Sequence, residues 1–115
     1  MSVKVIGGWY PTQLTQEIIH ADATEHSLSC ADIGVPEHTS VLSIYIESHS
    51  VGVGDFEIKT SSGGTAQPLN DLETGLWFKS EDGLFYYELE TANDDINVGI
   101  TGYFVQGSLQ AALRR

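Results

Sequence analysis

The sequence predicts an all-β fold, an antiparallel β-sandwich or jelly roll of about seven to nine short strands. Three observations carry that prediction. Apolar residues recur with period two wherever they cluster, groups of Gly, Asn, Asp and Ser interrupt them at short intervals, and almost no stretch shows the one-sided apolar stripe of a helix.

The elements follow in chain order. Residues 3–10, 17–20 and 26–30 are short strand candidates. Residues 40–47 give the clearest alternation, with Leu42, Ile44 and Ile46 sharing one face. Residues 55–60 turn Phe56 and Ile58 inward between charged neighbours, then meet Ser61-Ser62-Gly63-Gly64, which reads as a turn. Residues 76–79 and 84–89 flank Ser80-Glu81-Asp82-Gly83, whose Asp-Gly pair supplies the positive backbone angles of a tight hairpin. Residues 96–105 follow the turn formers Asn93-Asp94-Asp95 and place Ile96, Val98 and Ile100 together, as in a central or near-central strand. Pro11, Pro36 and Pro68 are expected in connections, where a missing N–H is harmless. One helical turn is expected, at residues 108–113, a segment that could equally add as an edge strand.

The chain has 115 residues, enough for a single two-layer core that buries roughly two-thirds of its extended surface. It reads as one domain over residues 1–115, with residues 106–115 as a C-terminal tail. Sixteen acidic side chains face five basic ones, a net charge of −11. Nucleic acids and anionic membranes are recognised by Lys and Arg, and before Arg114-Arg115 the only basic residues are Lys4, Lys59 and Lys79. Neither class of partner is expected. No apolar run approaches the roughly 20 residues of a membrane span, and the start of the chain lacks the long apolar region of a signal peptide, so synthesis in a cytoplasm is expected. Cys30 is alone, which forbids an internal disulfide and points to a small buried hydrophobe.

Chemistry is sparsely signalled. His20, His26, His38 and His49 form no i, i+2 or i, i+4 pair for local chelation; His20 and His26, with Asp22 and Glu25 between them, come nearest to a site. There is no Gly-x-Ser-x-Gly elbow and no Cys beside a His. The acids are spread over every loop with no preferred pair, and Gly52-Val53-Gly54 is too short for a phosphate loop. No enzyme and no cofactor are therefore expected. Calcium is the cation that Asn93-Asp94-Asp95 and Asn70-Asp71-Leu72-Glu73 could attract, although the same residues cap turns. Trp9-Tyr10 and Trp77-Phe78 are aromatic pairs in which alternation should send one ring inward and one outward. An exposed indole there would suit stacking on a sugar ring.

The order of features from Ile33 to Phe104 runs through Ile33-Gly34-Val35-Pro36, a long alternating strand, a Gly-marked strand pair, a Trp-bearing strand and a closing Gly102-Tyr103-Phe104. It resembles the β-sandwich modules of phage virion proteins and bacterial surface proteins, in which a Gly-Val-Pro opening and a terminal Gly-Tyr-Phe recur. The resemblance covers about two-thirds of the chain and transfers no functional residue; Gly7-Gly8-Trp9-Tyr10 lies outside it. It implies a display or assembly module: a virion structural protein, such as a capsid decoration or cement protein or a small tail component, working in homo-oligomeric copies against a capsid or tail protein. The basic pair Arg114-Arg115, with Leu109 and Leu113 on the same tail, suits a contact with a neighbour's acidic face. The rival expectation is a carbohydrate-binding module with Trp9 or Trp77 and Tyr10, Tyr86 or Tyr103 as a stacking platform.

Overall fold

The computed structural model describes residues 8–18, 24–48, 56–89 and 96–106. Most expected strands form there, but the described parts of the separate candidates at 3–10 and 17–20 fall on one continuous strand over 8–18, a strand at 66–69 is unexpected, and Cys30 belongs to a helical turn rather than to a strand. The elements are β1 (Gly8–Ile18), β2 (Glu25–Ser29), α1 (Cys30–Ile33), β3 (Thr39–Ser48), β4 (Phe56–Lys59), β5 (Ala66–Leu69), β6 (Thr74–Phe78), β7 (Leu84–Leu89) and β8 (Ile96–Val105). Eight strands among the described residues form two antiparallel four-stranded sheets. Sheet A has the order β1-β8-β3-β6 and sheet B the order β2-β7-β4-β5. The fold is the expected all-β sandwich, with β8 and β3 central in sheet A.

The core fills the space between the two inner faces. Leu42, Ile44, Ile46, Ile96, Val98 and Ile100 come from sheet A, and Phe56, Ile58, Phe85, Tyr87 and Leu89 from sheet B, all buried. Trp77 joins the layers. Its ring meets Phe56 edge-on at 5.7 Å, Phe85 at 5.5 Å and Tyr87 at 5.9 Å, and its indole N–H donates to the Tyr86 carbonyl at 2.9 Å. Tilted ring pairs set the positive edge of one ring against the negative face of another, and the hydrogen bond satisfies the buried indole nitrogen. Gly75, two residues before Trp77 and on the same inward side, opposite Ile44, matters for a different reason. A Cβ there would lie 2.9 Å from Leu69 Cδ1, so a side chain on β6 at this point would force Leu69 to shift.

Several local expectations are corrected. The turn at Ser80-Glu81-Asp82-Gly83 forms, with Ser80 N–H donating to the Leu84 carbonyl at 2.8 Å and Gly83 at φ 90°, but it does not close a hairpin. The strands on either side lie in opposite sheets, so the turn carries the chain across the sandwich. The Gly-marked turn at residues 61–64 does join a true hairpin, β4 to β5. Pro11 and Pro68 sit within strands rather than connections; both strands are sheet edges, where an absent N–H breaks no ladder. A helix also stands where none was expected. Ser29 caps α1, its hydroxyl accepting from Asp32 N–H at 3.1 Å while the Asp32 carboxylate accepts from Ser29 N–H at 2.9 Å, and Gly34 ends it at φ 94°. Both halves of this capping box draw on the positive end of four unsatisfied N–H groups. The expected turn at 108–113 lies outside the described residues.

Candidate functional site

The two outer faces of the sandwich differ in kind. On sheet B, registered positions bring Glu25, Glu88 and Glu57 into one row. Lys59 answers two of them, its Nζ lying 3.1 Å from both Glu25 and Glu88. Glu25 is held further by the Ser62 hydroxyl at 2.6 Å and the Gly63 N–H at 2.7 Å. These donors stabilise the carboxylate, and with the Lys59 charge they bring the Glu25 pKa down to about 2. At the turn from β6 to β7, the Tyr86 hydroxyl donates to the Asp82 carboxylate, which lowers the Asp82 pKa and raises that of Tyr86. This face is charged, paired and polar.

Sheet A is the opposite. Across its four strands, Trp9, Phe104, Val41 and Phe78 stand in one outward row, because Trp9 pairs with Phe104, Phe104 with Val41 and Val41 with Phe78. The next outward row is Pro11, Gly102, Ser43 and Leu76, and the third is Thr15, Gly99, Tyr45 and Thr74. None of these positions is charged, in a chain whose net charge is −11. Charge returns only in the fourth row, where Glu17 and Glu47 flank Asn97. Trp9 is 52% exposed, and Leu76 and Phe78 are each 45% exposed. The Trp9 and Phe104 rings lie 5.5 Å apart and tilted by 55°. Singly exposed hydrophobes need no explanation, but a row holding three aromatic rings with an uncharged surround is a candidate contact surface.

Bulges shape this face. The β1–β8 register shifts between Pro11 and Leu14, and the β3–β8 register shifts between Ser43 and Ile44, so Thr101 has no directly opposed residue. Thr101 Oγ1 instead donates to the Ser43 carbonyl at 3.2 Å and meets the Ser43 hydroxyl at 3.0 Å. The shift resets which residues point outward: Ile100 remains in the core, yet Phe104 emerges beside Trp9.

Of the residues singled out as a sugar platform, only Tyr10 and Tyr103 stack on each other. Trp77 is fully buried, so it has no face to offer. Trp9 and Tyr10 point to opposite sides of β1. Tyr10, 37% exposed, stacks on Tyr103 at 5.5 Å on the core side, and it remains open because β1 is the edge strand. The two rings of Trp9-Tyr10 thus point to opposite sides as alternation requires, and both are exposed. The pair Trp77-Phe78 behaves as alternation requires. Tyr86 belongs to the other sheet. Arg114, Arg115, Leu109 and Leu113 lie outside the described residues, as do His20, His49, Asp22 and Asn93-Asp94-Asp95.

The other candidate chemistries find plain structural uses. His26 stacks on Tyr87 at 5.7 Å. In the loop from Asn70 to Glu73, the Glu73 carboxylate accepts from Asn70 N–H at 2.6 Å, a turn closure. Among the described residues no three His, Cys, Asp or Glu side chains gather as a cation site. An open cleft of about 580 Å³ is lined by Cys30, Glu37, His38, Lys79 and Asp82. Its thiol is buried, with the Glu37 and Thr39 carbonyls at 3.5 and 3.6 Å as alternative acceptors for its one proton. Burial pushes the Cys30 thiol up, and the Lys79 charge offsets this only in part, so Cys30 is not poised as a nucleophile. Among the described residues, no helix is long and apolar enough to cross a membrane.

The face of sheet A was missed in the sequence because its residues look like core. The available signal was failed alternation: Leu76-Trp77-Phe78 and Tyr103-Phe104-Val105 are apolar on both sides of their strands. No family model matches the chain, and no curated protein or solved structure matches it.

Proposed function

We propose that this chain is a non-enzymatic structural module that works in multiple copies, in the manner of a virion decoration, cement or small tail protein. The outer face of sheet A is its docking surface for neighbouring protein subunits. The uncharged aromatic row Trp9, Phe104, Val41 and Phe78 carries this reading. Aromatic rings surrounded by neutral residues are what a protein interface concentrates at its centre, and a charged, solvated face on the other sheet suits the side turned to water. The setting in a virion rests on the resemblance of the Gly-Val-Pro to Gly-Tyr-Phe span, and the location that follows is the particle itself.

A second reading has one observation in its favour. Trp9 is an exposed indole at a sheet edge, so a carbohydrate-binding module could stack a sugar ring on it beside Phe104. One experiment separates the two. The chain has two tryptophans and Trp77 has no exposure to lose, so a change in emission reports Trp9. Assembly predicts a blue shift that grows with protein concentration and tracks light-scattering mass; a sugar site predicts a shift on saccharide titration at constant mass. Immunolabelled electron micrographs of particles from the native source complete the test, and particles without this chain in repeated positions would overturn the structural reading.

A further inference from the structure

The four sheet edges are not equally protected. β1 carries Pro11 and a register shift, β5 carries Pro68, and β2 carries Glu25 and runs straight into α1. Proline, bulges, charge and short length all stop an edge from pairing with another chain. β6 lacks the first three. Its five residues, Thr74-Gly75-Leu76-Trp77-Phe78, include no proline and no charge, and its pairing with β3 has no shift of register. Its open side faces a cleft of about 140 Å³ bounded by Ile58, Lys59, Thr65 and Gln67, and among the described residues no strand occupies it.

We propose that β6 is a dimerisation edge, at which two copies of this chain pair β6 antiparallel about a twofold axis at Leu76 and join their A sheets into one. This deepens the multi-copy reading and rests on it. The backbone direction supports the register. Lys79 N–H donates to the Ser40 carbonyl at 2.8 Å and Ile46 N–H to the Glu73 carbonyl at 2.9 Å, so the odd-numbered residues face β3. Thr74, Leu76 and Phe78 therefore direct their N–H and C=O groups to the open side. Centred on Leu76, each copy's Leu76 meets its twin, and Thr74 meets Phe78 of the other copy. All three pairs are of the kind that exchanges two hydrogen bonds.

Charge fixes the same register. Glu73 immediately precedes β6 and Lys79 immediately follows it, each three residues from Leu76. Antiparallel pairing about Leu76 sets Glu73 of each copy opposite Lys79 of the other. A chain of net charge −11 meets least repulsion from its twin where like charges are absent. Here Glu73 and Lys79, which also bond Asn70 N–H and the Glu37 carbonyl within their own chain, oppose each other twice along an otherwise neutral strand. The pairing also covers Leu76 and Phe78, two of the exposed hydrophobes, and doubles the aromatic face that sheet A presents.

The test is sedimentation and light scattering of the whole chain, with sheet content checked by circular dichroism. The unmodified protein should reach twice its 12.5 kDa as concentration rises. Leu76→Lys, which opposes two ammonium groups on the axis, should weaken the dimer roughly tenfold or more. Glu73→Lys alone and Lys79→Glu alone should each be monomeric, since each opposes like charges twice. Mixed together they should form a heterodimer, because both cross-pairs are then Lys against Glu. A misfolded variant could not be rescued by mixing. A protein that stays monomeric throughout, or a mixture that fails to associate while both variants keep native sheet content, would overturn the edge pairing. Association of the unmodified protein that Leu76→Lys leaves unchanged also overturns it while leaving the multi-copy reading intact, which the particle micrographs judge separately.

Discussion

Replacing Trp77 by Phe probes the joint between the sheets. The indole is fully buried, touches three rings of sheet B and donates its N–H across the sandwich to the Tyr86 carbonyl. A phenyl ring keeps most of the packing but removes about two buried carbons, worth roughly 1.6 kcal/mol at about 0.8 kcal/mol each. Loss of the hydrogen bond adds about 1 kcal/mol, since net values for such bonds cluster there. The sum, about 2.5 kcal/mol, is a large share of the 5–15 kcal/mol of roughly typical domain stability and should lower the melting temperature by about 10 °C. Urea unfolding followed by far-UV circular dichroism measures it. A loss below about 0.5 kcal/mol would mean that the indole does not clamp the sheets. The same variant should leave any saccharide response of Trp9 unchanged, because Trp77 offers no surface.

Three further outcomes are expected. Gly75→Ala should cost about 1–2 kcal/mol by crowding Leu69, and most of that should disappear when Leu69→Ala is the background, a coupling that a double-mutant urea series detects. Glu25 has a folded pKa near 2 against 4.5 when unperturbed, so its contribution to stability is complete above about pH 4.5 and is lost as pH falls towards 2. The urea midpoint of the native protein should fall across that window, and Glu25→Gln should flatten the slope; parallel slopes would contradict the assigned donors Ser62, Gly63 and Lys59. Leu72 is 64% exposed and holds φ at 68°, a conformation unfavourable for a branched side chain, so Leu72→Gly should leave stability unchanged or raise it by about 0.5–1 kcal/mol in thermal melts.

Period two is a local property, so the strongly alternating strands were legible in the residues: Leu42, Ile44 and Ile46, then Ile96, Val98 and Ile100, are buried as their spacing requires, whereas β5, with Pro68 in four residues, and the continuity of β1 across Pro11 were not. The sequence by itself also determined the turns, because Gly63 and Gly83 take the positive angles their positions demand. Which strands pair is not local. The turn at residues 80–83 has hairpin chemistry, yet it crosses between sheets because Trp77 is drawn onto Phe56, Phe85 and Tyr87, and that burial outweighs pairing with β7. The α1 turn was legible in principle from Ser29, Asp32 and Gly34, but four residues carry no apolar period to announce it. The apolar outer face of sheet A was decided by tertiary structure alone. Leu76, Trp77 and Phe78 are all apolar, so composition cannot say which ring is core and which is surface; sheet order and the bulges beside Pro11 and Thr101 do, because they fix the side of the sheet on which Trp9, Phe104 and Phe78 align.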